Sequence, residues 1–121
     1  MYIYSFEKLD VWQLSREFTK EIYLLTKKFP DDEKFGLVNQ IRRASISICS
    51  NIDEGVSRRT DKDKARFTGI SYGSAVEILN QLIISNDLNY ISEEELLSFR
   101  LKIEEITKRL NKLYLSQTKT S

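Results

Sequence analysis

Five of the nine residues from Arg58 to Arg66 are basic: Arg58, Arg59, Lys62, Lys64 and Arg66. They follow the glycine that closes "SNIDEG" at residues 50–55. Guanidinium and ammonium groups gathered in this way suit phosphate: Arg offers a forked pair of donors and Lys a mobile point charge. Arg42 adds to the same excess. Residues 41–66 hold seven basic and four acidic groups, whereas residues 1–40 and 67–121 each hold six basic and seven acidic. With a net charge of only +1, the positive character is local. Asp53, Glu54, Asp61 and Asp63 interleave with the basic residues and weaken their field, so a solvated hairpin corner is the competing account. No aromatic residue stands out as a platform for stacking bases, because Phe67 falls on an apolar stripe.

Other chemistry is hard to assemble. The chain has no histidine, which removes the usual general base and the commonest metal ligand. A single cysteine, Cys49, cannot form a thiolate zinc site and lies at helical spacing on an inward stripe as a small hydrophobe. There is no phosphate-binding glycine loop, dinucleotide fingerprint or nucleophile elbow. The acidic runs "DD", "EEE" and "EE" fall in helix first turns or on exposed faces, where they serve as caps and solvated surface. The expectation is a protein without enzymatic activity, cofactor or metal. No apolar run approaches the roughly 18 residues that span a bilayer, and no signal-peptide layout opens the chain. With one unpaired cysteine, a cytoplasmic location is expected.

One proline and four glycines leave few places to interrupt helices. The first apolar stripe, Val11, Phe18, Ile22, Leu25 and Phe29, predicts a helix over about 10–29 with Asp10 as its N-cap. Pro30 stops it. A second helix is expected over 32–54, with Asp31, Asp32 and Glu33 at its start and Val38, Ile41, Ser45, Ile48 and Ile52 inward. Gly55 falls where a left-handed C-cap would lie. A third helix, 61–88, opens at Thr60 or Asp61 and turns Phe67, Ile70, Ile78, Leu79, Leu82 and Ile83 toward the core. The fourth, 93–115, starts at a Ser92–Glu95 capping box and repeats Leu96, Phe99, Ile103, Ile106, Leu110 and Leu113 in strict heptad fashion. A polar tail, 116–121, follows. Short connections force antiparallel neighbours, so residues 1–121 form a single all-α domain, an antiparallel up-down-up-down four-helix bundle.

Gly69 and Gly73 sit inside the third helix, where each costs roughly 1 kcal/mol relative to alanine. Antiparallel pairing sets them opposite Ser47 and Arg43, so close approach of two backbones is the first explanation. Admission of a ligand or a neighbouring subunit is the second. Glu77, one turn beyond Gly73, lies level with Arg43, and an inter-helix ion pair is expected between them.

"FEKLDVW", "FGLVNQIRRASISICSNIDEG" and "ARFTGISYGSAVEILNQL" resemble the four-helix-bundle proteins of 23S rRNA intervening sequences, from Phe6 to about Leu113. The resemblance implies a left-handed bundle that assembles as a ring-like homopentamer. A related branch, the accessory proteins of diversity-generating retroelements, binds nucleic acid and a reverse transcriptase. Those proteins are strongly basic; this chain is nearly neutral. Asp53 replaces a small apolar residue usual in relatives, while Asn51, Glu54 and Gly55 keep the pattern. Their expected roles are structural: Asn51 bonding backbone, Glu54 meeting Arg58 or a neighbouring subunit, and Gly55 turning the chain. Two functions follow as expectations. One is a nucleic-acid-associated accessory protein touching RNA phosphates. The other is a scaffold for a protein partner, with Tyr2, Tyr4 and Tyr72 as candidates for an exposed patch.

Overall fold

The structure, a computed structural model, describes residues 1–119. Four helices carry the chain: α1 (Asp10–Thr26), α2 (Leu37–Val56), α3 (Asp61–Asp87) and α4 (Glu93–Thr118), with short 3-10 turns at Ser5–Lys8 and Asp31–Glu33. No strand forms among the described residues. Consecutive helices adjoin, and α4 closes the circle against α1. The pairings run antiparallel throughout. Thr26 of α1 meets Arg42 of α2 while Thr19 meets Ser45. Ser47 of α2 meets Ser74, and Ile48 meets Ser71. Thr68 of α3 meets Gln117. On α4, Lys102 pairs with Glu21 and Arg109 with Asp10.

The core is the apolar stripe of each helix turned inward. Phe18, Ile22, Ile41, Ile48, Ile52, Ile78, Leu82, Ile106 and Leu110 are fully buried. Each removes enough apolar surface from water to contribute about 1.5–3 kcal/mol. The heptad pattern of α4 lands as its sequence implies, with Phe99, Ile103, Ile106 and Leu110 buried and Leu96 and Leu113 packed beside them. Its capping box also forms: Glu95 N–H donates to Ser92 Oγ at 3.1 Å, and Ser92 N–H to Glu95 Oε1 at 2.9 Å.

Several boundaries differ from expectation. α1 stops at Thr26 and Phe29 enters the core from the following turn. Asp10 is the first helical residue rather than the cap, which is Leu9. α2 begins at Leu37, not at residue 32, because Gly36 holds a backbone that is neither helical nor extended and interrupts the helix (φ −111°, ψ −111°). Glu33 then reaches forward, and its carboxylate accepts from Leu37 N–H at 3.2 Å. α3 ends in a Schellman turn: Asn89 is left-handed (φ 64°), and Tyr90 N–H donates to Ser85 O at 2.9 Å. Residues 116–118 of the expected polar tail belong to α4, and residues 120–121 lie outside the described residues.

The largest departure is the orientation of α3. Its inward positions are small or polar: Ala65, Thr68, Ser71, Ala75, Gln81 and Ser85 accompany Ile78 and Leu82. Ile70 and Ile83, expected in the core, are 43% and 37% exposed. Tyr72, Val76, Ile84 and Leu88 share the outer surface with them. Small inward side chains let α3 sit close to its neighbours, and that geometry overrides the stronger apolar pattern outside.

Candidate nucleic-acid interface

The turn from α2 to α3 is built from local bonds. Ser57 N–H reaches Asp53 O at 3.3 Å, Arg58 N–H reaches Gly55 O at 3.1 Å, and Ser57 Oγ donates to Glu54 O at 2.8 Å. Thr60 then caps α3, its hydroxyl accepting from Asp63 N–H at 3.2 Å. The left-handed glycine expected at Gly55 is absent: Gly55 is helical and buried, and its φ is not positive. A Cβ there would lie 3.2 Å from both Lys64 O and Phe67 Cβ. Gly55 is therefore the position at which α2 and α3 approach closely.

Gly69 and Gly73 do not play that part. Both are exposed; a Cβ on Gly69 would meet only the Tyr114 ring, at 3.9 Å, and one on Gly73 would meet nothing within 4 Å. The α2–α3 seam is bridged instead by serines, with Asn51 steadying Ser47 from within α2. Ser47 Oγ and Ser74 Oγ lie 2.9 Å apart, and Asn51 Nδ2 donates to Ser47 O at 2.9 Å. The ion pair expected between Arg43 and Glu77 does not form. Both residues are exposed, and the Glu77 carboxylate accepts from Gln81 Nε2 at 3.1 Å instead.

At the corner itself, Arg58 and Arg66 flank the Phe67 ring, their guanidinium carbons 4.6 Å and 4.4 Å from its centroid. Arg58 also pairs with Glu54 at 2.7 Å and Arg66 with Asp63 at 3.5 Å. These partners hold two cations in fixed positions while their exposure leaves the pairs weak. Arg59, Lys62 and Lys64 make no ion pair among the described residues. Arg42 is elsewhere. It precedes Arg58 by about 24 Å of helix rise. Its guanidinium is bound at the end of α1, where it donates to Thr26 Oγ1 (2.9 Å) and Tyr23 O (3.2 Å) and covers the Tyr23 ring. There it satisfies one α1 carbonyl and the Thr26 hydroxyl and is no part of the corner.

The antiparallel topology brings further residues to the same end. Lys8 before α1 and Lys108, Arg109 and Lys112 near the end of α4 border an open groove of about 820 Å³. A second cleft, of about 660 Å³, lies between the start of α3 and the end of α4 and is lined by Lys62, Arg66, Tyr114 and Gln117, among others. Tyr114 is 39% exposed, so an aromatic surface stands beside the basic corner after all. No local signal announces it, because Tyr114 reaches the corner only through the α3–α4 register. The opposite end holds Asp31, Asp32 and Glu33 before α2, Asp87 closing α3, and Glu93 and Glu94 opening α4. With both signs counted, residues 7–10, 53–66 and 105–112 at the basic end carry nine basic and seven acidic groups. Residues 27–34 and 87–95 at the other end carry three and seven, so the bundle is polarised along its axis chiefly by its acidic end.

Cys49 is half-buried with its sulfur 3.6 Å from Thr19 Oγ1, and burial pushes its thiol pKa up, away from the nucleophilic thiolate. Among the described residues no cluster of three His, Cys, Asp or Glu could hold a metal, and no helix is long and apolar enough to cross a membrane.

The sequence profile of the 23S rRNA-intervening sequence proteins matches residues 7–112, which include the corner and most of every helix. The chain belongs to this family. A solved structure, described as a protein with unknown function from the S23 ribosomal protein family of Bacteroides thetaiotaomicron VPI-5482, is 28% identical, with a TM-score of 0.79. The alignment covers 86% of this chain and 94% of that one. No curated protein matches. Within this intervening-sequence protein, then, the bundle is the fold of the family, and the corner motif "SNIDEG" lies inside the matched region.

Proposed function

We propose that this intervening-sequence protein is a non-enzymatic, self-associating bundle, cytoplasmic in location, that accompanies nucleic acid and meets RNA phosphates with its basic end. The observation that carries this is the axial charge polarity. Arg59, Lys62 and Lys64 have no ion-pair partners among the described residues and lie at the end shared by Lys8 and Lys112, while the carboxylates of Glu93 and Glu94 stand at the other. A polyanion approaching such a dipole is oriented before it touches, and each phosphate neutralised releases condensed counterions. Self-association is supported by the outward apolar face of α3 and by the ring-like homopentamer that the family resemblance implies. Repeating one basic end several times on one particle multiplies a weak contact into useful avidity.

The test is fluorescence anisotropy with labelled RNA at low and near-physiological salt, on the wild type and on Arg59→Ala/Lys62→Ala/Lys64→Ala. Binding that weakens steeply with salt and falls at least tenfold in the variant is the expected result. Undiminished binding by the variant removes the corner from the interface. The exposed face of α3 also favours a second reading, a scaffold for a protein partner such as a reverse transcriptase, without nucleic-acid binding. Tyr2, Tyr4 and Tyr72 are all exposed and extend the surface available to it. Absence of RNA binding even at low salt would leave this second function in front.

A further inference from the structure

The cleft between the start of α3 and the end of α4 presents a polar group that the protein leaves open to solvent. Gln117 is buried, with 7% of its surface exposed, and lines this cleft. Its Oε1 lies 2.7 Å from Thr68 Oγ1, but its Nε2 has no hydrogen-bond partner among the described residues. Thr68 Oγ1 also lies 3.1 Å from Lys64 O and has one proton to give. If the hydroxyl donates to Lys64 O, the Gln117 amide turns over and donates to Thr68, which leaves its oxygen without a partner instead. In either arrangement one amide atom is bonded within the chain and the other is available. The free amide atom reaches the open cleft rather than being sealed in the core, so water meets it when the cleft is empty and a ligand with a matching edge can replace that water.

The rest of the wall defines that ligand. The Tyr114 ring is partly open to solvent, and Gly69 beside it carries no side chain that would cover it. Lys62 and Arg66 line the same cleft and supply positive charge, which Asp63, also in the wall and 3.5 Å from Arg66, reduces but does not cancel. A volume of about 660 Å³ accommodates a group the size of a nucleoside. A flat π surface, one amide hydrogen-bonding group and two cations fit an unpaired nucleobase and its flanking phosphates.

We propose that the cleft takes one unstacked base of a single-stranded RNA, with the base on the Tyr114 ring, its edge on the Gln117 amide, and its phosphates on Lys62 and Arg66. This deepens the nucleic-acid function proposed above and rests on it. It assigns the protein a preference for single strands, since the bases of a duplex remain stacked on one another.

Anisotropy with full-length protein, a labelled single-stranded RNA and an RNA duplex of equal charge tests the subsite. Tyr114→Ala should weaken single-strand binding about fivefold or more and leave duplex binding unchanged, whereas Tyr114→Phe should behave as wild type. Gln117→Ala should weaken single-strand binding in the same selective way, with thermal melts verifying that each variant is folded. Equal losses on both RNAs would overturn the subsite, because they indicate general damage. So would unchanged single-strand binding by Tyr114→Ala while Arg59→Ala/Lys64→Ala abolishes it; the phosphate-binding function would then stand alone. Failure of the wild type to bind either RNA would remove that function and the subsite with it.

Discussion

A methyl group at Gly55 would sit 3.2 Å from the Lys64 carbonyl and equally close to Phe67 Cβ. Neither neighbour is a flexible side-chain tip, so accommodating alanine requires α2 and α3 to move apart. At Gly73 the same methyl meets nothing within 4 Å. Helix propensity favours alanine by about 1 kcal/mol at both positions, so the surroundings decide the sign. Gly55→Ala should lower the melting temperature, by an overpacking cost of about 1–3 kcal/mol less the propensity gain. Gly73→Ala should raise the melting temperature of the subunit by a few degrees. Paired thermal melts check both, and a Gly55→Ala protein that melts no lower than wild type would mean that the helix pair relaxes freely. The need for glycine at residue 55 was legible in "SNIDEG", but its reason was not. A glycine near a helix end suits a left-handed cap, and only the position of α3 shows that it is a contact. Arg42 follows the same logic: its charge was legible, and its engagement with Tyr23 and Thr26 required the register of α1 against α2.

Among the elements, α4 was the most legible, because one clean stripe and one capping box specify its burial and its start. Its first turn also carries a pH dependence. The Lys28 ammonium, with the Ser92 backbone N–H, holds the Glu95 carboxyl below its ordinary pKa of 4.5. A folded pKa below the unfolded one means stability that is present above the unfolded value and lost as pH falls through the folded value. Glu95→Gln should therefore lower the melting temperature near neutral pH by a few degrees, and the deficit should shrink as pH falls from the ordinary carboxyl value through the lowered folded one, where wild type is protonated too. Melts across this range check it; a deficit independent of pH would assign the loss to the changed side chain rather than its charge. α3 was the least legible element. Apolar residues lie on both of its sides, and periodicity alone selects the richer one. Packing kept Ile78 and Leu82 inward as expected but set Ser71, Ala75 and Ser85 beside them, which permit an approach that Ile70 and Ile84 would block.

For the molecule as a whole, the outward apolar face of α3 links the proposed assembly to the proposed RNA contact. Ile70, Tyr72, Val76, Ile84 and Leu88 lie exposed on one helix, around two glycines that leave its backbone accessible. An apolar surface of this kind on the single chain suits a second copy of it, and a ring of copies would collect basic ends on one side. Ile70→Lys/Ile84→Lys places two charges on that face without touching the buried core. Light scattering should show the variant reduced to the mass of a monomer, with a melting curve still cooperative. The added lysines also make each subunit more positive, so simple electrostatics predicts tighter RNA binding by the variant. Avidity predicts the reverse: dissociated subunits present one basic end each and should bind a long RNA at least tenfold more weakly. Weaker binding therefore cannot be attributed to charge and would tie the assembly to the nucleic-acid contact. Binding that is equal or stronger, with the oligomer dissolved, would separate the two and leave the α3 face serving assembly alone.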